Sequence, residues 1–221
     1  MGLPFSEEQF LQVFAEYNRA VWPLQLVFYV GAGLTLLLAV RKRLSSDRII
    51  SGALALLWLW MGAVYHLTFF ATINKAAVAF GALFILQAFL FFTSGVLNSS
   101  LTFRIRAGLD GFCGAALFAY SLIFYPVLGH LLGHEYPAAP TFGLPCPTTI
   151  FTFGMLLCAE GKVPTRLTLI PLGWSVIGTT AVLYLGMTED FGLLAAGVIG
   201  TTLIALRNRN LQIHSAASCP S

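Results

Sequence analysis

Residues 22–48 read WPLQLVFYVGAGLTLLLAVRKRLSSDR, an apolar run that ends in a short basic segment. The apolar part, residues 22–40, carries no charged side chain and is close to the ~20 residues that a membrane-spanning helix needs. Basic residues follow at once, at positions 41–43 and at Arg48. Short loops rich in Lys and Arg stay on the cytoplasmic side of a membrane. This stretch therefore predicts both a spanning helix and its direction.

The rest of the chain repeats this pattern. Of its 221 residues, 57% are hydrophobic and 10% are charged, whereas a soluble domain carries about 25% charged residues. Seven stretches predict spans: residues 22–40, 49–70, 76–97, 108–128, 142–159, 167–185 and 191–206. The fifth is long enough only when its prolines are included. We therefore expect an all-α, seven-helix transmembrane bundle that forms a single domain over residues 1–211.

The basic residues give the orientation of this bundle. Ten of the 12 Lys and Arg residues fall after spans one, three, five and seven, on one side of the membrane, and only Arg19 and Lys75 fall on the other. A six-span arrangement would mix the two sides. We expect the N-terminus outside and the C-terminus in the cytoplasm of a plasma membrane. Because the basic residues flank spans and form no patch, we expect no nucleic-acid partner.

The two ends of the chain differ from the spans. Ser6 and Gln9 have the spacing of a capping box, and one apolar face follows at Phe10, Val13, Phe14 and Tyr17. The pattern predicts a short amphipathic helix within residues 1–18. Such a helix either lies on the outer membrane surface or packs on the outer ends of the spans. Residues 212–221 are polar and small and predict a flexible tail.

Three histidines and one cysteine fall on the outer side: His66, His130, His134 and Cys146. The four-residue separation of His130 and His134 places both rings on one helix face, a spacing used by paired metal ligands. Cys146 lies in a segment stiffened by four prolines and adds a soft ligand. The hypothesis is a transition-metal site, such as a zinc site. The alternative is that these histidines only meet water at the interface.

Acidic and polar residues suggest a route for a cation. Glu16 and Glu135, together with Glu189 and Asp190, make the outer side acidic, and an acidic face attracts cations. Gln87 lies in the middle of span three, where it either lines a polar path or bonds a neighbouring helix.

Asp110 lies a few residues inside span four, near its cytoplasmic end. An ionisable residue within a span marks a functional site by default. At this depth we expect it to pair with Arg104 or Arg106 instead. The last span contains no lysine, which excludes a retinal Schiff base. The chain has no Gly-rich phosphate loop either, so we expect no nucleotide.

Five runs resemble an uncharacterised family of bacterial multi-spanning membrane proteins: YNRAVWP at 17–23, YH at 65–66, LGH at 128–130, GHEYP at 133–137 and PCPTTIFTFG at 145–154. The resemblance implies a bacterial plasma membrane. Because that family has no assigned function, it assigns no residue a role.

Three functions are compatible with these patterns. The first is a small transporter or permease for a cation or small polar solute, which would enter from the outer face past the His cluster. The second is an integral-membrane hydrolase that uses a metal held by the same histidines. The third is a non-catalytic subunit or assembly factor. We expect the first, and hence a transporter and not an enzyme, with the lipid bilayer and a small solute or ion as partners and an oligomer possible.

Overall fold

A computed structural model describes residues 4–217 of the chain, with side chains through residue 213. This part of the chain is helical apart from turns and two short strands. Its eight helices are α1 Glu7–Val21, α2 Leu24–Arg41, α3 Ser46–Thr72, α4 Ala77–Leu97, α5 Leu109–Leu131, α6 Pro145–Leu157, α7 Arg166–Leu185 and α8 Phe191–Ala217. The antiparallel strands β1 Thr102–Phe103 and β2 Ala159–Glu160 join two loops at one end of the bundle.

Six of the helices, α2, α3, α4, α5, α7 and α8, are long and apolar enough to cross a membrane. Many large apolar side chains on them face outward, for example Val27, Val30, Ile123, Phe124 and Leu183. So many outward-facing apolar side chains on long helices are typical of contact with lipid. The all-α class and the apolar character expected from the sequence are therefore confirmed.

Helix α6 differs from these six. It has 13 residues, a length of roughly 20 Å at 1.5 Å per residue, whereas the hydrocarbon core of a bilayer is about 30 Å thick. The expected fifth span, residues 142–159, is thus longer than the helix that forms there. The residues before it make turns, because Pro145 and Pro147 are tolerated only in the first helical turn.

Helix α6 is enclosed by other helices. Nearly all of its side chains are buried, and it packs against α5, α7 and α8. Near its start, Cys146 lies beside Asp190, the residue just before α8. At its end, the carbonyl oxygens of Leu156 and Leu157 accept hydrogen bonds from Arg207, far along α8. The two helices therefore run side by side in the same direction.

Helices α3 and α4 approach each other closely where both lack a side chain. A Cβ atom on Gly62 would lie 2.8 Å from the carbonyl oxygen of Gly81, too close for any larger residue without displacement of the backbone. Along Met61–Phe69, α3 winds as a wider π-helix. A similar π-helical segment of α5, Tyr120–Phe124, comes just before Pro126, which has no N–H for the carbonyl four residues earlier.

The N-terminal helix begins with the expected capping box. Ser6 Oγ accepts from the Gln9 N–H at 3.2 Å, and Gln9 Oε1 accepts from the Ser6 N–H at 2.9 Å. The helix is longer than expected and ends at Val21. Its apolar face packs against side chains from the ends of α3, α4 and α7, among them Tyr65, Phe70, Ala77 and Ala181. Of the two placements that the sequence allowed, the structure favours packing on the ends of the bundle.

The C-terminal helix also extends further than the sequence indicated. Helix α8 continues to Ala217, so the predicted tail at residues 212–221 begins inside a helix. Residues 218–221 lie outside the described part of the chain.

Candidate functional site

Two adjacent acidic residues, Glu189 and Asp190, are buried at the start of α8. Only 1% and 2% of their surfaces are exposed. They lie in a short 3-10 turn, Thr188–Asp190, which follows the left-handed residue Gly186 at the end of α7. Within residues 4–217, neither carboxyl group forms an ion pair with a lysine or an arginine. The buried acidic pair therefore depends on neutral groups and on one histidine.

Side chains from α5 and the following loop bind this acidic pair. The His134 Nδ1 and Glu189 Oε1 atoms share a hydrogen bond of 2.9 Å. The Tyr125 hydroxyl donates to Asp190 Oδ1 at 2.6 Å, and the Tyr120 hydroxyl donates to the backbone oxygen of Glu189 at 2.7 Å. Glu189 Oε2 is buried and has no hydrogen-bond partner. We call these residues, with Cys146 beside Asp190, the acidic cluster.

The end of α5 explains how His134 reaches this cluster. Gly133 has φ of +91°, and its N–H donates to the carbonyl oxygen of His130 at 3.1 Å, while the N–H of His134 donates to that of Gly129 at 2.9 Å. This pair of bonds is a Schellman motif, which ends a helix and turns the chain. His134 is therefore buried, whereas His130 stays exposed on the last turn of α5.

This turn corrects the expectation that His130 and His134 share a helix face, because the helix ends between them. Nor are the four proposed metal ligands brought together. His134 binds Glu189, and His66 lies among aromatic rings. Among the described residues, no three His, Cys, Asp or Glu side chains are grouped closely enough to hold a metal ion.

His66 is fully buried in α3, and neither ring nitrogen has a hydrogen-bond partner. The rings of Phe84 and Trp174 pack edge-on against it, with centroids 4.5 Å and 5.0 Å away. A buried imidazole without partners is costly. Trp174 Nε1 is likewise buried, and the side chain near it is Cys146, whose sulfur is a weak acceptor.

An aromatic cavity of about 130 Å³ lies next to His66 and the acidic cluster. Its walls come from α1, α3, α4, α7 and the start of α6. Seven aromatic side chains line it: Phe5, Phe10, Phe14, Tyr65, Phe70, Phe80 and Trp174. Cys146 lines the same cavity and interacts with Asp190, so the cavity and the acidic cluster share a wall.

Helix α1 and the proline-rich loop close this end of the bundle. Asn18 Nδ2 donates to the carbonyl oxygens of Pro137 and Ala139, both at 2.7 Å, and its Oδ1 accepts from Thr141 at 2.9 Å. Tyr17 accepts a hydrogen bond from Trp60 Nε1 at 2.8 Å. Burial raises the pKa of Tyr17 to about 12, so its hydroxyl stays protonated at neutral pH.

The other acidic residues expected on this side lie apart from the cluster. Glu16 is exposed on α1, where its carboxylate accepts from Gln12 at 3.0 Å. Glu135 is exposed just after the buried His134. Both serve as matched comparisons for Glu189 and Asp190.

Gln87 bonds a neighbouring helix, one of the two roles considered for it. Pro171 inside α7 has no N–H, so the carbonyl oxygen of Leu167, four residues earlier, lacks its helical donor. Gln87 Nε2 supplies that donor at 3.0 Å. Its Oε1 is buried without a partner, and this leaves one polar atom directed into the bundle.

Asp110 forms the expected kind of interaction with a different arginine. Its Oδ2 lies 3.1 Å from Arg207 Nη1 on α8, whereas Arg106 pairs with Glu160. Arg207 also donates to the last carbonyl oxygens of α6. Together with Asp110, it forms a tie, a set of polar contacts that joins α5, α6 and α8. This tie lies at the end of α6 opposite to the acidic cluster.

The sequence identified Glu189 and Asp190 only as part of an acidic outer side. Their position in the sequence was the one available signal of a functional site. Two adjacent acidic residues stand directly before an apolar helix, where burying their charge is costly. Their partners Tyr120 and Tyr125 gave no signal, since tyrosines near span ends are common.

A family model matches residues 7–215 and describes a family of unknown function (DUF6064). The sequence resemblance to an uncharacterised family is thereby confirmed. No curated protein and no solved structure matches the chain.

Proposed function

Because the chain belongs to DUF6064, a family of unknown function, we propose a function from its own residues: a small membrane permease for a cation. The acidic cluster is the binding site, and Glu189 and Asp190 supply its charge. The aromatic cavity beside it is the way in from the outer face.

One observation carries this proposal, namely the burial of two adjacent carboxyl groups with His134 as their only basic partner in the described chain. Moving an uncompensated carboxylate out of water costs several kcal/mol. The cost falls when a proton or another cation binds. Glu189 Oε2, which is buried and unpartnered, is an open acceptor for such an ion.

Unpartnered polar atoms inside the bundle support a route beyond this site. Thr149 Oγ1 on α6, Gln87 Oε1 on α4 and Thr201 Oγ1 on α8 are buried without hydrogen-bond partners. Buried polar groups are ordinarily satisfied by protein or by ordered water. Water or a passing ion would satisfy these atoms, which is compatible with a polar route through the bundle.

The proposed topology has seven spans in a bacterial plasma membrane, with α6 as the fifth span, the N-terminus outside and the C-terminus inside. Two features support it. Cys146 and Leu157, near the two ends of α6, contact Asp190, just before α8, and Arg207, far along α8. The basic residues Lys42, Arg106 and Arg207 meet at the end away from the acidic cluster, as the preference of basic loops for the cytoplasm requires.

Liposome flux tests the permease. Purified protein is reconstituted, and fluxes of protons, sodium, potassium and tetramethylammonium are measured. We expect flux of at least one cation, which Glu189→Gln with Asp190→Asn abolishes. The exposed pair Glu16→Gln with Glu135→Gln leaves flux unchanged. Absence of flux for every cation, or unchanged flux in a folded Glu189/Asp190 variant, overturns the proposal.

Thiol labelling tests the topology. In intact cells, a membrane-impermeant maleimide should label Glu7→Cys, whereas Arg209→Cys should react only after the cells are opened. The unsubstituted protein serves as the blank for its natural cysteines. The reverse pattern, or labelling of both positions from outside, contradicts the seven-span topology.

A further inference from the structure

We propose, resting on the permease function above, that the cation is a small organic ammonium ion, whose alkyl groups bind in the aromatic cavity while its charge faces the adjoining acidic cluster. The family match assigns no ligand. The inference comes from the ring lining, from the charge behind it and from the scarcity of oxygen ligands.

Seven aromatic rings, on four helices and the segment before α1, contribute to the cavity wall. Ring contacts join them into one cluster: Phe14 stacks on Tyr65 at 6.1 Å, and Phe10 and Phe70 meet at 5.8 Å. A cation near several ring faces gains roughly 0.5–2 kcal/mol for each well-placed ring. Aromatic cages of this kind are suited to alkylammonium groups.

The charge around the cavity is also suited to a cation. Among the residues that the structure describes, no lysine, arginine or histidine lines it. Asp190 lies directly behind Cys146 in its wall, and Glu189 follows within the same cluster. Two basic residues adjoin lining residues in sequence: Lys75, which is exposed to solvent next to Asn74, and His66, which is buried behind the ring of Trp174.

The lining is unsuited to a bare metal ion. Hard cations such as calcium require six or more oxygen ligands, and magnesium requires an octahedron that usually includes water. Of the described side chains that line the cavity, three carry oxygen, those of Asn74, Tyr65 and Thr180. An alkylammonium ion needs no such shell, because its methyl groups bury apolar surface against the rings while its charge faces Asp190.

The cavity also distinguishes a charged ligand from an uncharged one of the same shape. Choline and 3,3-dimethyl-1-butanol differ by the replacement of the quaternary nitrogen with carbon. Both fill an apolar cavity equally, but only choline carries a charge that the ring faces and Asp190 attract. The ratio of their affinities therefore measures the cation-specific part of binding.

Equilibrium dialysis with radiolabelled choline and with tetramethylammonium tests this on the full-length protein in detergent. We expect saturable binding, competition by unlabelled tetramethylammonium, and at least tenfold weaker competition by 3,3-dimethyl-1-butanol and by sodium. Phe14→Leu with Phe70→Leu should weaken choline binding about tenfold, as the loss of two ring contacts implies. Phe89→Leu, an exposed ring of α4 outside the cavity lining, is the matched control.

The outcomes separate this inference from the permease function. If protons or sodium cross liposomes through Glu189 and Asp190 but choline does not bind, the inference fails and the permease stands. Equal competition by the neutral alcohol also overturns it. Should the double variant not fold, Phe5→Leu at the partly exposed edge of the cavity tests the same ring effect, and unchanged choline affinity there counts against the proposal.

Discussion

The Nδ1 atom of His134 lies 2.9 Å from Oε1 of Glu189, and this hydrogen bond joins the loop after α5 to the turn before α8. Glu189 Oε2 already lacks a partner. His134→Ala therefore leaves a fully buried carboxyl group with no side-chain partner. We expect a loss of about 1–3 kcal/mol in the free energy of unfolding, measured by denaturation in detergent.

The control for this prediction is His130→Ala, which removes an exposed imidazole four residues away. It should change stability by less than about 0.5 kcal/mol. His134→Gln retains an N–H donor and should recover much of the loss. Equal effects of His130→Ala and His134→Ala would contradict the role of the contact.

A double-mutant cycle tests the link between Gln87 and the proline in α7. Gln87→Leu leaves the carbonyl oxygen of Leu167 without a donor and should cost about 1 kcal/mol. Pro171→Ala restores the backbone N–H that an α-helix directs at that oxygen. The cost of Gln87→Leu should therefore be smaller in the Pro171→Ala background. Identical costs in both backgrounds would show that the side chain does not replace the missing helical bond.

Asn18 holds the proline-rich loop onto α1. Asn18→Asp keeps the oxygen that accepts from Thr141 but loses both donors to the loop carbonyls. We expect a loss of about 2 kcal/mol and faster proteolysis within residues 137–141. Gln12→Ala, at an exposed position on the same helix, should leave both measurements near those of the unsubstituted protein. A protected loop in Asn18→Asp would argue against this attachment.

Arg207 ties α8 to the end of α6 and to Asp110. One guanidinium group reaches two carbonyl oxygens and one carboxylate, all at 3.0–3.1 Å. Arg207→Ala should lower the free energy of unfolding by about 2 kcal/mol, because it removes hydrogen bonds made by a charged group. Arg207→Lys should recover only part, because an ammonium group lacks the planar fork. The exposed Arg209 is the matched control, and an equal loss in Arg209→Ala would refute the tie.

The sequence predicted well those features that depend on composition and local spacing. Apolar length located six of the helices, and Ser6 with Gln9 predicted a capping box that forms as expected. The fifth predicted span is longer than the helix that forms there. Hydropathy shows that a segment is apolar, but it does not show whether lipid or protein surrounds that segment. A helix enclosed by protein needs less length than one exposed to lipid, and that enclosure depends on α5, α7 and α8.

The candidate site was less predictable because its contacts join residues far apart in the chain. The separation of His130 and His134 indicated a shared helix face, but Gly133 ends the helix between them. Gln87 had two possible roles. The side-chain amide of Gln87 donates to a carbonyl oxygen on another helix, and that oxygen is free because Pro171 has no N–H. Likewise, Asp110 pairs with Arg207, which is 97 residues away in the chain, and not with Arg104 or Arg106.

The enclosure of α6 also has a consequence for membrane insertion. Six helices present long apolar faces and can each enter the bilayer as they emerge from the ribosome. Helix α6 is short, begins at two prolines, and is surrounded in part by α7 and α8, which are synthesised after it. Its stable placement must therefore wait for the C-terminal quarter of the chain, so chains truncated before α8 should be degraded faster than chains that include it.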